Sequence, residues 1–458
     1  MNENRTQRKI LAVLVAASVV VPLAVEARGE EALGRRYTDP VNGFSLRPPL
    51  DAERVRQTSP ALLVSWRKRD PDRNAVLWTL SVLRAVEKRP MGDLGTYSKA
   101  LADKLRGEQN YKVDSVALPK VAGLPGISFK GVTGGVGRFY QEQVWVLSHK
   151  GKVDPQAKPG DEAEPTEFLV LVINGPADME KELSAVLSKV VGTLEVTDPR
   201  TARAEREAKL CRGQEFLASL TDEKLAAAAK GDAQWYLMRF EGKDVGFMRV
   251  AAAKARREGA SGYELKNWVV LQLPKSERRL LKRVMFTTLD RNVERWAEQL
   301  KIGDGPAAET FGEDGIKQAE MIVCNISQGG RVRANKKPAP SAIYLPRAMG
   351  GLLPRLIDLG KAESYAFATY TSSANSFDMR TFTVVGPDRV EIDGKDTEAI
   401  RVTDRVAEDT EPATLWLDAK GDLLLMESPD GLTMRRSSRS EVRRLFVDAD
   451  QLVNAMGK

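Results

Sequence analysis

The sequence predicts an α+β chain built as two modules, and three observations lead to that reading. Apolar strand-like runs and amphipathic helical stretches interleave between Tyr37 and Val196. The composition shifts to Ala, Glu, Lys and Arg from Thr201 to Lys230, which favours helix. From Gln234 to Val453, short apolar runs separated by Gly- and Asp-bearing turns read as antiparallel strands.

The first stretch, Met1–Ala27, has the order of an export signal: Arg5, Arg8 and Lys9, then the apolar run Ile10–Val25, then small residues at Val25 and Ala27. The apolar run is about 16 residues, short of the roughly 20 needed to span a bilayer, and Pro22 interrupts it. Cleavage after Ala27 is therefore expected in preference to a retained anchor, with the mature chain periplasmic or extracellular. No stable transmembrane span is expected after cleavage. The 70 Lys and Arg against 63 Asp and Glu give a net charge of +7. Removing three bases (Arg5, Arg8, Lys9) and two acids (Glu3, Glu26) leaves +6, a mild excess that implies solubility before any anionic partner.

In the first module, Asn42-Gly43 marks a hairpin between Tyr37–Val41 and Phe44–Leu46. Strands are expected at Leu62–Arg67 and at Val76–Val86, whose two apolar faces predict a central position. Asp93 caps a helix reaching about Arg106, with Leu94, Tyr97, Leu101 and Leu105 three to four apart and Gly107 as its stop. Strands return at Ile127–Gly131, Arg138–Ser148 and Glu167–Asn174, and a second helix runs from about Ala177 to Val191. The segment Gly151–Pro165, with three prolines and four acids, is expected to be a loop between strands.

The second module opens with Trp235–Phe240, a turn at Glu241-Gly242-Lys243-Asp244, and Val245–Val250. Further hairpin signals stand at Asp418–Asp422 and Ser428–Gly431, and one helix is expected near Pro346–Leu359. The stretch Arg278–Lys301 carries both helical spacing and β-prone runs, and is assigned to strand because its neighbours are strands. The boundaries expected are 1–27 for the signal peptide, 37–197 for an α/β domain, 198–232 for a helical connector and 233–453 for a β-rich domain.

The opening Asn42-Gly43-Phe44-Ser45-Leu46-Arg47-Pro48-Pro49, the helix after the third strand, Gly126-Ile127-Ser128-Phe129 and the closing helix with Leu194-Glu195-Val196 together resemble the PsbP-like family. That resemblance covers about a third of the chain. It implies an α/β/α sandwich on an antiparallel sheet, acting as a binding or assembly module, with no catalytic motif to carry over. Thr414-Leu415-Trp416-Leu417-Asp418 with Leu423-Leu424-Leu425 resembles the strand–Asp-x-x-Gly–strand unit of exported bacterial domains with long curved antiparallel sheets, the kind used by periplasmic lipoprotein carriers.

Several chemistries find little footing. His149 is the sole histidine and reads as a surface residue at a strand end, so it is not assigned as a base. The Gly-x-Ser-x-Gly and His-Glu-x-x-His motifs are absent. Gly131–Gly137 leads into a strand and lacks Gly-Lys-Ser/Thr, so it reads as a hairpin turn and not as a phosphate cradle. The acids Asp304, Glu309, Glu313 and Asp314, and Glu391, Asp393, Asp396 and Glu398, read as solvated turns. The bases Arg331, Arg333, Lys336 and Lys337, and Arg435, Arg436, Arg439, Arg443 and Arg444, lack interleaved aromatics and read as solvated faces, with no nucleic-acid partner. Cys211 and Cys324 stay open between a disulfide and two separate thiols.

No catalytic, cofactor-binding or metal-ligating residue is assigned, and no cofactor is expected. The function expected is that of an exported, non-enzymatic binding or assembly protein of the cell envelope, with an envelope protein or an apolar ligand as partner. The alternatives are a periplasmic carrier holding an apolar ligand in the β-rich domain, and a carboxylate-dependent hydrolase.

Overall fold

The computed structural model describes residues 33–457 apart from 56–60, 71–72, 74, 88–92, 109–110, 134–137, 151–164, 230, 275, 306–307 and 409. The export segment, the centre of the Gly131–Gly137 turn and nearly all of the acidic, proline-bearing loop lie outside the described residues. The fold is α+β with antiparallel sheets, one of them large and curved. It divides into two compact units that part between Arg206 and Glu207.

The first unit holds β1 (Tyr37–Asp39), β2 (Phe44–Leu46), β3 (Glu53–Val55), β4 (Leu62–Arg69), β5 (Val76–Glu87), α1 (Leu94–Glu108), β6 (Tyr111–Ala117) and β7 (Lys120–Val121). It continues with β8 (Leu124–Thr133), β9 (Phe139–His149), β10 (Thr166–Pro176), α2 (Glu180–Val191) and β11 (Glu195–Val196). The main sheet runs β3-β4-β5-β10-β9-β8-β6, and β1-β2-β11 form a small second sheet. Asp93 caps α1 as expected, its Oδ1 accepting the Thr96 amide at 3.0 Å.

Alternation along the strands decides which helix covers which face. Leu169, Leu171 and Ile173 point with Trp78, Leu80 and Val82 to the face under α2, where Leu183, Val186, Leu187 and Val190 are buried. Phe168, Val170 and Val172 point to the other face, where Tyr97 of α1 stacks on Phe168 at 5.5 Å. The result is an α/β/α sandwich, and β10 is its most completely covered strand. Gly43, at φ 68°, has no room for a Cβ, which would fall 2.4 Å from the Thr197 carbonyl oxygen.

The stretch expected as one helical connector is two helices, α3 (Pro199–Ala218) and α4 (Asp222–Ala229). Leu225, Ala228 and Ala229 of α4 belong to the core of the second unit, so that helix is part of a packed domain. The remaining elements are β12 (Gln234–Phe240), β13 (Lys243–Arg257), β14 (Ala260–Leu271), β15 (Arg279–Thr287), β16 (Val293–Ile302), β17 (Glu309–Gln318), β18 (Met321–Gln328) and β19 (Arg331–Pro338). After them come α5 (Arg347–Leu356), β20 (Ser364–Thr371), β21 (Ser376–Ile392), β22 (Lys395–Arg405), β23 (Ala413–Leu417), β24 (Leu423–Glu427), β25 (Leu432–Ser437), α6 (Arg439–Leu445) and α7 (Ala449–Gly457).

Strands β12 and β25 pair at the middle of a 14-stranded sheet, from which one arm runs to β19 and the other to β20. Among the described residues no strand pairing closes β19 onto β20. Arg333, Asn335 and Lys337 of β19 instead donate to the backbone oxygens of residues 372–375 in the β20–β21 turn. The segment before α5 runs parallel to β20 through a Tyr344–Ala368 bridge, which leads α5 into the concavity. There Ala348, Met349, Leu352 and Leu353 are buried against the sheet.

The expected hairpins at Glu241–Asp244, Asp418–Asp422 and Ser428–Gly431 are present, and Arg278–Lys301 is two strands as assigned. On the opposite face of the sheet, Val442, Ala449 and Val453 of α6 and α7 cover Trp235, Phe247 and Trp268. Those two helices were not anticipated, although positions 442, 446, 449 and 453 have helical spacing.

Candidate functional site

The concave face of the β-rich unit carries an unexpected polar row. Residues paired directly across neighbouring strands point to the same face, and the register aligns Gln234, Val250, Asn267, Arg283, Glu298 and Glu313 on β12 through β17. Arg283 donates to Glu298 at 2.5 Å. Arg347, at the start of α5, descends onto the row and donates to Glu313 at 2.8 Å, with its guanidinium 4.5 Å from the centre of the Trp296 ring. Glu313 also accepts from Trp296 Nε1 at 2.7 Å and from Ser372 Oγ. Gly315 makes room for that indole, since a Cβ there would lie 2.0 Å from Trp296 Cζ2.

Burial alone would raise the Glu313 pKa, but the Arg347 charge and the Ser372 and Trp296 donors outweigh it and hold the carboxyl below its usual range. Glu294 lies farther along the same inward face, one row beyond Trp296, accepting from Tyr344 OH at 2.5 Å and from the Arg347 amide at 2.6 Å. For Glu294 burial dominates and its pKa is raised. These carboxylates are enclosed and bonded, and they fix where α5 enters.

Gln234 opens the row onto a cleft of about 770 Å³. Its wall includes Arg355, Lys420, Arg436 and Arg439 against Asp232 and Asp422. Local structure places each cation. Gly421, at φ 79°, lies so close to the end of α5 that a Cβ would fall 2.2 Å from the Pro354 oxygen, which brings the β23–β24 turn beside Arg355. Arg355 is then fixed by Asp422 at 2.7 Å and by the Ala228 carbonyl at 2.8 Å. Arg436 ends β25 and reaches Asp418 at 3.3 Å, while Arg439 reaches Asp450 at 3.1 Å. The Lys420 ammonium has no carboxylate partner among the described residues.

A slot of about 100 Å³ has Gly231, Asp232, Gln234 and Arg355 in common with the cleft wall. Met248, Leu265, Met285, Leu352 and Leu423 give it apolar walls, and Asn267 and Arg347 supply polar groups.

The residues singled out in the sequence are dispersed. Glu313 is buried and Asp314 exposed, on opposite faces of one strand, while Asp304 and Glu309 are exposed. Of the acids 391–398, Asp393 is in the β21–β22 turn and meets Arg435 at 3.1 Å, while Glu391, Asp396 and Glu398 are exposed on the strand ends beside it, Asp396 meeting Arg389 at 2.7 Å. Of the second basic group, Arg436 and Arg439 line the cleft, whereas Arg435 pairs with Glu441 and Arg443 with Asp450. The first basic group lies on edge strand β19. His149 is less exposed than expected, its ring Nδ1 3.1 Å from Asp198 Oδ2. Cys211 is exposed and Cys324 buried, and they are not bonded to each other. Among the described residues no helix is long and apolar enough to cross a membrane.

Gln234, Asn267, Arg283, Glu298 and Arg347 were not singled out. Their positions on alternate sites of successive strands are visible in the sequence, but the pairing register that aligns them is not.

No family model matches the chain, and no curated protein matches it. Among solved structures, it is similar to a β-barrel-like protein of a domain of unknown function from Brucella abortus, at 15% identity and TM-score 0.31 over 45% of this chain and 94% of that one. The solution structure of cyanobacterial PsbP (CyanoP) from Synechocystis sp. PCC 6803 matches at 13% identity and TM-score 0.26, over 38% of this chain and 98% of that one. LpqN, involved in cell envelope biogenesis of Mycobacterium tuberculosis, matches at 12% identity and TM-score 0.26, over 37% of this chain and 87% of that one.

Proposed function

We propose that the chain is an exported binding protein of the cell envelope, without catalytic activity, that takes a small oxyanion-bearing ligand in the cleft of its β-rich unit. Export rests on the order of charges and small residues in Met1–Ala27. The observation that carries the ligand reading is the cleft wall, where Arg355, Lys420, Arg436 and Arg439 converge and the Lys420 ammonium has no acidic partner among the described residues. A volume of about 770 Å³ is within the range of small-molecule sites.

Two other readings have less support. An apolar cargo needs apolar volume, and the slot beside α5 offers about 100 Å³. Carboxylate-dependent hydrolysis needs an acid or base within reach of a substrate, whereas Glu294, Glu298 and Glu313 are enclosed and committed to Tyr344, Arg283 and Arg347.

The test is to incubate the full chain with envelope extract, re-purify it, and identify bound small molecules by mass spectrometry beside Lys420→Ala/Arg436→Ala. A phosphate- or carboxylate-bearing compound retained by the native chain and lost from the variant is expected. Retention of neutral lipid by both would instead favour the apolar carrier.

A further inference from the structure

Among the described residues six charged side chains line the cleft, and four of them are committed to protein partners. Arg355 binds Asp422 at 2.7 Å, Arg436 reaches Asp418 at 3.3 Å and Asp422 at 3.7 Å, and Arg439 reaches Asp450 at 3.1 Å. Two remain, and they are of opposite sign. The Lys420 ammonium and the Asp232 carboxylate belong to exposed residues of the cleft wall, and neither has a hydrogen-bonding or ionic partner among the described residues.

Arg355 brings the segments that carry these two groups together. Its guanidinium donates through Nε to Asp422 and through a terminal nitrogen to the Ala228 carbonyl at 2.8 Å, which ties the β23–β24 turn to the end of α4. Lys420 precedes Asp422 in that turn, whose backbone is held by Asp418 Oδ1 accepting the Lys420 and Asp422 amides, each at 2.9 Å. Asp232 follows Ala228 in the segment leading from α4 into β12. The cleft therefore sets one uncommitted cation and one uncommitted anion on the two segments that a single side chain joins.

Resting on the reading of the cleft as an oxyanion site, we propose that its ligand is a zwitterion, an oxyanion with an ammonium on a short arm, in which the oxyanion pairs with Lys420 and the ammonium with Asp232. A plain anion is attracted by Lys420 and repelled by Asp232, whereas a zwitterion pairs with both. The carboxylate thus selects against phosphate or carboxylate compounds that carry no positive charge.

The test is calorimetric titration of inorganic phosphate, n-propyl phosphate, 2-aminoethyl phosphate and 3-aminopropyl phosphate into the full chain at low salt. At least one aminoalkyl phosphate is expected to bind about threefold to fivefold more tightly than n-propyl phosphate, the gain of one exposed ion pair. Asp232→Asn should remove that gain and bind inorganic phosphate at least as tightly as the native chain, with an unchanged melting temperature. Asp232→Lys should go further, tightening inorganic phosphate and making the aminoalkyl phosphates weaker ligands than n-propyl phosphate. Glycerophosphoethanolamine, the same pair of charges in the form of a lipid headgroup, is titrated beside them. A gain for it as well supports a headgroup as the source of the ligand, and a gain for the free aminoalkyl phosphates alone supports a soluble zwitterion.

Equal affinity for n-propyl phosphate and both aminoalkyl phosphates, or a gain that survives Asp232→Asn, would overturn the inference and leave the cleft reading standing. Absence of binding by every phosphate would overturn both.

Discussion

Arg347 and Glu313 meet at 2.8 Å inside the β-rich unit, with side chains 5% and 3% exposed. One comes from the helix in the concavity and the other from the sheet beneath it, so the ion pair fixes the depth and direction of α5. The slot and the inner wall of the cleft depend on that placement, because Gly351, Leu352, Pro354 and Arg355 are all carried by α5.

Removing one partner of this pair should be costly. Glu313→Gln leaves a buried guanidinium without its carboxylate, and a loss of about 3–5 kcal/mol is expected from denaturant unfolding. Arg347→Met with Glu313→Leu removes both charges, and its loss should be well below the sum of the single variants. Additive losses would show that the pair is not coupled.

Two of the inward carboxylates, Glu313 and Glu294, should respond to pH with opposite signs. Glu313, held below the usual carboxylate range, contributes stability above its unfolded pKa, and that contribution is lost as pH falls through its folded value. Glu294, raised by burial, contributes below its unfolded pKa and loses that contribution as pH rises through its folded value. Relative to the native chain, Glu294→Gln should therefore gain stability progressively as pH rises above the ordinary glutamate range. A difference that stays constant with pH contradicts this assignment.

Gly315→Ala should be among the more damaging glycine substitutions. Its Cβ would lie 2.0 Å from the Trp296 ring, which also donates to Glu313. A loss of about 1–3 kcal/mol is expected from the forced repacking, read as a lower urea midpoint. An unchanged midpoint would mean that the indole has a second position.

The two thiols should separate cleanly. Cys211 is exposed, while burial raises the Cys324 pKa to about 12. A thiol reagent should label one cysteine in the native chain and two after unfolding. Equal labelling of both in the native state would contradict the burial of Cys324.

Much of the architecture was legible because periodicity reports which face a residue takes. In β10, Phe168, Val170 and Val172 face α1 while Leu169, Leu171 and Ile173 face α2. The same alternation concealed the site. Asn267, Arg283, Glu298 and Glu313 occupy inward positions, and a charged residue on a strand reads by default as outward-facing. Only the strand register and the approach of Arg347 reveal them as one row. Arg436 and Arg439 belonged to a charge run whose members the structure sends to different surfaces, because strand β25 ends and α6 begins within it.

The cleft is the centre of this account, and calorimetric titration of inorganic phosphate into the full chain at low salt tests it most directly. Saturable binding to one site is expected, weakened about tenfold or more in Lys420→Ala/Arg436→Ala and unaffected in Arg331→Ala/Lys336→Ala on the exposed strand β19. Absence of binding, or equal weakening by both pairs of substitutions, would contradict a built oxyanion site and leave only diffuse attraction to a basic surface.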